Sequence, residues 1–229
     1  MMKLMKLNTI AYMQSDFASK FGIPRQSGLV KNLQSTIVFT EKYRDPAALR
    51  GLETYSHIWL LWGFSETKTK GWSPTVRPPR LGGNARKGVF ATRSPYRPNP
   101  IGLSSVKIDG IEQHPVQGPV IHVLGADLMN GTPIYDIKPY IPYADSHPDA
   151  LEGFLGAALE RRLQVDFDEQ WEEILRPEQR EILRDLLSHD PRPAYQDDPE
   201  RVYGLSFGEL EVKFTVRENA LRVRSIERL

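Results

Sequence analysis

The chain has 229 residues, with 30 Lys and Arg, 29 Asp and Glu and no cysteine. The lack of cysteine excludes disulfide bonds and thiolate metal sites, and no apolar run reaches the length of a membrane span. The start, Met1–Leu7, is too short and too interrupted by lysine for a signal peptide. We therefore expect a soluble, cytoplasmic protein of one or two domains.

Short segments rich in β-branched and aromatic residues dominate the first part of the chain. They predict strands at Thr9–Met13, Ser35–Thr40, His57–Phe64, Ser104–Ile111, Val120–Leu124 and Pro133–Lys138. One short helix is expected between Asp45, which can cap it, and Gly51, which can end it, because Pro46 suits the first helical position. Many short strands with connections rich in glycine and proline predict an antiparallel barrel or sandwich rather than a parallel α/β sheet.

Helices and strands are mixed in the second part of the chain. The patterns predict helices at Asp149–Leu163 and Glu178–Ser188, and strands at Glu209–Val216 and Leu221–Ile226. The two strands flank a short turn and therefore predict a β-hairpin. We assign residues 1–147 to a mainly β domain and residues 148–229 to a small α+β domain.

The net charge of +1 conceals an uneven distribution along the chain. Residues 1–144 carry 18 Lys and Arg against 9 Asp and Glu, whereas residues 145–229 carry 12 against 20. This division favours a domain boundary near Tyr143–Pro148 and a polyanionic partner for the basic first part. Attraction between the two parts is the alternative explanation.

The most distinctive stretch runs from Trp72 to Ser105 and contains no acidic residue. Its cations are Arg77, Arg80, Arg86, Lys87, Arg93 and Arg97. Its prolines and glycines disfavour a regular helix, and a short strand is expected at Val89–Ala91. We interpret the stretch as a rigid cationic loop for phosphates or a carboxylate, since arginine binds both in bidentate fashion. A solvated surface with a few structural ion pairs is the alternative.

A second group of candidate residues lies in the segment 127–140, which predicts a hairpin around Asn130-Gly131. Asp136 and Lys138 are two residues apart in a strand and therefore share a face. They suit either ligand binding or an ordinary ion pair, and His57 is likewise either catalytic or structural. No histidine has metal-ligand spacing, and no Rossmann or P-loop glycine pattern is present. We therefore expect neither a metal site nor a Rossmann-type cofactor site.

Several blocks of the sequence resemble the TrmO (YaeB/TsaA-like) family. They are R-P-P-R-L-G-G-N-A-R-K-G-V-F-A-T-R-S-P-Y-R-P-N-P-I-G-L-S, D-L-M-N-G-T-P-I-Y-D-I-K-P-Y, F-G-I-P-R-Q-S-G-L-V, G-L-E-T-Y-S-H-I-W and D-P-R-P-A-Y. The likeness spans nearly the whole chain in the same order. It implies an S-adenosylmethionine-dependent tRNA methyltransferase that methylates N6 of threonylcarbamoyladenosine, just 3′ of the anticodon. It also implies a single-sheeted β-barrel, a small C-terminal domain and a homodimer.

The resemblance further implies the positions of the cofactor contacts. They are Ser15, Asp16, Phe17, Ser56, His57, Arg93, Leu103, Asp127, Leu128, Met129 and Asn130. The sequence departs from the family pattern at the first of these segments. Met13-Gln14 stands where the family often shows an arginine, and Asp16 replaces a usual proline.

The chemistry of the acceptor suggests roles for further residues. N6 of a carbamoylated adenine is a poor nucleophile, so methyl transfer needs in-line alignment and removal of the N6 proton. We assign Asp136 as the general base and His57 as the second candidate. The substrate contacts are expected at Arg25, Arg86, Arg93, Arg97, Lys138, Tyr96 and Tyr195, the cations binding the threonyl carboxylate and phosphates and a tyrosine stacking on a base.

Two other functions are compatible with the residues alone. A non-enzymatic RNA-binding barrel would also explain the basic loop and its aromatic side chains. A hydrolase that uses His57 and Asp136 is the third hypothesis, although no nucleophile has a suitable local context.

Overall fold

The computed structural model describes residues 6–67, 71–78, 85–154, 162–171, 174–192, 196 and 198–229. The strands of these residues are β1 (Ala11–Ser15), β2 (Gln34–Phe39), β3 (His57–Gly63), β4 (Thr75–Val76), β5 (Lys87–Gly88), β6 (Ile101–His114), β7 (Gly118–Leu124), β8 (Pro133–Pro139), β9 (Gln164–Asp166), β10 (Tyr203–Phe207), β11 (Leu210–Arg217) and β12 (Ala220–Arg228). The α-helices are α1 (Pro142–Asp145) and α2 (Pro177–Ser188). None of the helices described is long and apolar enough to cross a membrane.

Six strands form one closed antiparallel barrel with the order β1-β2-β7-β6-β3-β8. The barrel closes where Ala11 and Tyr12 of β1 pair with Ile134 and Pro133 of β8. Alternate residues of the strands face inward and fill the interior, among them Met13, Ile37, Ile58, Leu60, Val106 and Ile121. The predicted antiparallel architecture is confirmed, and the pairing of the first strand with the last distinguishes a barrel from a sandwich.

Two local predictions in the first part have different outcomes. The short helix is present as a 3₁₀ turn, Pro46–Leu49, which begins where Asp45 accepts a hydrogen bond from the N–H of Ala47 at 2.9 Å. The strand predicted at Val89–Ala91 is wrong, because this segment is also a 3₁₀ turn. Both the N–H and the hydroxyl of Thr92 donate to the carbonyl of Val89 and close that turn.

A four-stranded sheet with the order β10-β11-β12-β9 packs with α2 to form what we call the C-terminal unit. The predicted hairpin (β11 and β12) and the predicted second helix (α2) are confirmed. The helix predicted at Asp149–Leu163 is not present at residues 149–152 or 162–163, and residues 155–161 lie outside the described part. Gly153 has a φ of +61°, which is incompatible with a continuous right-handed helix.

The connection between β1 and β2, residues 16–33, belongs to the core of the C-terminal unit. We call it the β1–β2 strap. Its Phe17, Val30 and Leu33 are almost completely buried, and they pack in the same cluster as the apolar side chains of β10–β12 and α2. A segment from the start of the chain therefore forms part of the second core. The domain division at residue 147 stays a prediction.

Candidate functional site

Two of the segments expected to bind the cofactor meet at the end of the barrel where β1 finishes and β8 begins. The Ser15 hydroxyl donates to the carbonyl of Leu128 at 2.9 Å, and the Ser15 N–H donates to Oδ1 of Asn130 at 3.3 Å. The N–H of Asn130 in turn donates to the carbonyl of Phe17 at 2.9 Å. The structure thus brings residues 15–17 and 127–130 together as one cluster, which we call the 15/127 cluster.

The shape of the 15/127 cluster depends on main-chain geometry. Gly131 has a φ of +77°, a conformation that favours glycine, and its N–H donates to the carbonyl of Met13 at 2.8 Å. The side chains of Leu128 and Phe17 are buried at 1% and 0% exposure. These two residues can therefore offer only their main-chain groups to a ligand, whereas Met129 and Asn130 keep accessible side chains.

A chain of buried polar groups leads from the barrel interior to this cluster. Nε1 of Trp62 donates to the Ser104 hydroxyl at 3.0 Å, and that hydroxyl donates to Oδ1 of Asp127 at 2.6 Å. Burial raises the pKa of the Asp127 carboxyl, while the Ser104 hydrogen bond and the positive charge of Arg93 act in the opposite direction. The cluster therefore presents a carboxyl group and a guanidinium close to each other. Ser104 was not among the site residues expected from the sequence.

Leu103 and Asp136 lie on the outer surface of the barrel. Leu61 of β3 pairs with Leu103 of β6 on one side and with Asp136 of β8 on the other, so the three residues form one row. Leu103 is 55% exposed. Nζ of Lys138 contacts Oδ2 of Asp136 at 2.9 Å, so these two side chains do share a face and form an ion pair.

His57 lies at the other end of β3 from Gly63. Its Nδ1 lies 2.9 Å from the Ser56 hydroxyl, and its ring packs 6.2 Å from the ring of Tyr140. His57 lies four positions before Leu61 in β3, a distance of about 13 Å along a strand. Among the described residues, neither His57 nor Asp136 is hydrogen-bonded to the 15/127 cluster. One chain therefore does not bring the two base candidates together.

A groove of about 540 Å³ lies beside Asp136 at the barrel end opposite Ser15. Its polar lining residues are Arg50, Thr54, Tyr55 and Asp136, and its apolar wall includes Ile10, Phe39, Leu49, Leu52 and Ile137. Neither Arg50 nor Tyr55 was expected as a site residue: Arg50 lies outside the blocks that resemble the family, and Tyr55 lies within the block G-L-E-T-Y-S-H-I-W but has no role implied by it.

Among the described cations of the basic loop, Arg97 is held by main-chain groups. Nη1 of Arg97 donates to the carbonyls of Thr92 and Val89 at 2.6 and 3.2 Å, and its guanidinium lies 5.8 Å from the Phe90 ring. This guanidinium therefore stabilises the turn from which it projects.

Arg86 and Arg25 also have intramolecular partners. Nε of Arg86 donates to the Thr75 hydroxyl at 2.8 Å. Nη2 of Arg25 donates to the carbonyls of Asp190 and Arg192, each at 3.1 Å, in the C-terminal unit. Arg25, Arg86 and Arg97 therefore contact different parts of the structure and do not form one group.

Three further expected residues have varied surroundings. Arg93 donates to the side-chain carbonyl of Gln26, next to the 15/127 cluster. Tyr96 is partly buried, and its N–H donates to the Ser94 hydroxyl at 3.3 Å. Tyr195 lies outside the described residues. The functional roles expected for all these residues stay predictions.

Comparison with known proteins adds the family. The model of the tRNA-methyltransferase O N-terminal domain matches residues 12–146, and the model of the TrmO C-terminal domain matches residues 160–229. The tRNA (adenine(37)-N6)-methyltransferase of Escherichia coli K12 is 40% identical over 235 residues, which cover 99% of each chain. A Pseudomonas aeruginosa protein named as a candidate S-adenosylmethionine-dependent methyltransferase, RcsF, is 39% identical over 96% of each chain. The crystal structure of TrmO from P. aeruginosa superposes with a TM-score of 0.79 and 33% identity, covering 100% of this chain and 99% of the other.

Proposed function

The chain belongs to the tRNA-methyltransferase O family, and on this premise we propose that it methylates N6 of adenine 37 in tRNA with S-adenosylmethionine as the methyl donor. The observation that carries the proposal is the 40% identity to the E. coli enzyme over 99% of both chains. The closed barrel, shared with the P. aeruginosa crystal structure, supports it. These likenesses favour an enzyme over a non-enzymatic RNA-binding module.

The 15/127 cluster fits the methyl donor chemically. The methionine end of S-adenosylmethionine carries an ammonium and a carboxylate, which are complementary to the carboxyl group of Asp127 and the guanidinium of Arg93. Main-chain groups of residues 15–17 and 128–130 offer further hydrogen bonds. When bound, S-adenosylmethionine supplies an electrophilic methyl group on its sulfonium. The residues of this chain hold and orient that group.

The substrate in this proposal is adenosine 37 that already carries the threonylcarbamoyl group. Arg86, Arg97 and Lys138 provide positive charge for the threonyl carboxylate and the phosphates of the anticodon loop. Tyr96 supplies an aromatic face for a splayed base, as proteins commonly read single-stranded RNA loops. Unmodified adenosine has no carboxylate for these cations.

Asp136 accepts the N6 proton in this scheme. Its carboxylate is accessible, since its side chain is 45% exposed, and it lies at the edge of the groove that contains Arg50 and Tyr55. Nζ of Lys138, 2.9 Å from Oδ2, holds the carboxylate in place. General-base assistance of this kind typically contributes about 10²–10⁴-fold in rate.

We further propose that the chain acts as a homodimer in the cytoplasm. The outer face of β6 exposes Ile101 and Leu103, at 37% and 55%, beside Leu61 of β3. A second copy that covers this face would remove apolar surface from water. It would also bring site residues of the second copy to the row at Asp136. Within one chain, that row lies apart from the 15/127 cluster.

The test of the proposed reaction combines binding and product analysis. Isothermal titration calorimetry measures S-adenosylmethionine binding, and mass spectrometry of digested tRNA identifies the nucleoside that gains a methyl group. We expect binding of the cofactor and methylation of the base just 3′ of the anticodon. Binding of tRNA without binding of S-adenosylmethionine would contradict the proposal and favour the RNA-binding module.

A further inference from the structure

The β1–β2 strap has two contact faces, one against the C-terminal unit and one against the proposed cofactor site. On the first face, the ring of Phe17 packs 5.8 Å from that of Phe207, and the N–H of Gly208 donates to the carbonyl of Asp16 at 2.8 Å. Gly22, with a φ of +85°, lies so close to Leu205 that a Cβ at Gly22 would overlap that side chain. Only glycine fits this approach.

Polar contacts fasten the rest of the strap to the same unit. The guanidinium of Arg25 donates to the carbonyls of Asp190 and Arg192, which follow the end of α2. Nε2 of His189, the residue at the C-terminal end of that helix, lies 3.2 Å from the carbonyl of Leu29. The strap is therefore held by the C-terminal unit at both ends and in the middle.

The opposite face of the strap supports the 15/127 cluster. The N–H of Gly28 donates to the carbonyl of Gly125, and the N–H of Gly125 donates to the carbonyl of Leu33, both at 2.8 Å. The main chain of Ser27 lies close enough to the Asp127 carboxyl group to lower its pKa slightly. These bonds fix the main chain that leads into Asp127.

Two more strap residues touch groups expected to bind the cofactor. The carbonyl of Phe17 accepts from the N–H of Asn130, and the side chain of Gln26 accepts from Arg93. One residue, Phe17, thus contacts the C-terminal unit with its side chain and the site with its main chain.

We propose that the C-terminal unit is a positioning element of the cofactor site and acts through the β1–β2 strap, with Phe17 and Arg25 as positioning residues. The proposal rests on the proposed S-adenosylmethionine site. It gives the acidic C-terminal unit a function that needs no contact with tRNA. It also replaces the role in phosphate binding that the sequence suggests for Arg25.

The first test uses two matched core substitutions in the full chain. Phe207→Leu removes the ring against Phe17, and Phe214→Leu removes a ring that instead stacks on Tyr203 at 5.6 Å. Both positions are buried in the same core, so both variants lose packing. We expect Phe207→Leu to raise the Kd for S-adenosylmethionine about tenfold, because a small displacement of a site by a remote change is costly, and Phe214→Leu to leave it nearly unchanged. Equal Kd values for the two variants would overturn the proposal.

A double-mutant cycle tests whether the effect passes through the Phe17 ring. The loss of affinity caused by Phe207→Leu should be much smaller when Phe17 is already leucine, since contacting residues on one path are not additive. Additive losses would exclude this route. Wild-type protein is measured alongside; its failure to bind S-adenosylmethionine would refute the proposed function, whereas normal wild-type binding with no difference among the variants would refute only the positioning role.

Arg25→Gln provides an independent test that does not disturb a core. If Arg25 is a positioning residue, its replacement raises the Kd for S-adenosylmethionine and leaves tRNA affinity and its salt dependence unchanged. If Arg25 binds a phosphate, its replacement weakens tRNA binding and reduces the salt slope by about one without changing cofactor affinity. The second result would overturn the assignment of Arg25.

Discussion

The Ser104 hydroxyl joins the indole N–H of Trp62 to the carboxyl group of Asp127, so Ser104→Ala tests the polar chain from the barrel interior to the proposed cofactor site. The hydroxyl accepts from Trp62 and donates to Asp127, and Ser104 is only 2% exposed. Without it, an indole N–H and a carboxylate oxygen lose a partner. A buried polar group left unsatisfied costs about 1–3 kcal/mol, so we expect the free energy of unfolding to fall by about 2–4 kcal/mol.

The loss of stability should depend on pH in a defined direction. Burial raises the pKa of Asp127 in the folded protein, so its contribution to stability is full below the unfolded pKa and is lost as the pH rises through the folded pKa. The hydrogen bond from Ser104 acts against this rise in pKa. Its removal raises the folded pKa further, and the destabilisation by Ser104→Ala therefore grows as the pH increases.

Urea unfolding at about pH 4 and about pH 7.5 measures both the loss of stability and its dependence on pH. The control is Ser105→Ala, which changes the adjacent serine on the outer face of β6 and should cost less than about 0.5 kcal/mol. A loss for Ser104→Ala as small as that of the control would refute the hydrogen-bond chain. An equal loss at both pH values would refute the link to Asp127.

Three further changes test other parts of the structure. Asp136→Asn should lower the single-turnover methylation rate of bound tRNA by about 10²–10⁴-fold; a near-normal rate would exclude Asp136 as the base. Leu103→Asp should convert the proposed dimer to a monomer in light scattering, whereas Val116→Asp, at another exposed apolar position, should not; a monomeric wild type would contradict the proposed dimer. Gly102→Ala places a Cβ that overlaps the Trp62 ring and should lower the free energy of unfolding by about 1–3 kcal/mol. Urea unfolding would detect this as a lower denaturation midpoint; an unchanged midpoint would show that the ring moves freely.

The sequence predicts the barrel strands well because their signal is local. Each strand of the barrel has inward-facing apolar residues, and glycine and proline mark the turns and loops between the strands. The closure of β1 on β8 is a long-range pairing that no local pattern encodes. The same limit explains β9, a three-residue strand whose parallel pairing with β12 depends on the fold around it.

Predictions of the site divide in a similar way. The family resemblance implies cofactor contacts in segments 15–17 and 127–130, and the structure brings these segments together. Their spacing cannot reveal that the side chain of Phe17 belongs to the core of the C-terminal unit. The six cations between Trp72 and Ser105 likewise reveal the charge of the loop but not the groups that each cation contacts. In the structure, the guanidinium of Arg97 stabilises its own loop.

Methyl transfer to two forms of one tRNA tests the central claim most directly. Labelled S-adenosylmethionine is incubated with the protein and a threonine tRNA that either carries or lacks the threonylcarbamoyl group on adenosine 37. We predict label only on the modified tRNA, at N6 of that base, because the cations at the site need the threonyl carboxylate. No label on either form, with S-adenosylmethionine unbound, would contradict the assignment of this chain as a tRNA methyltransferase.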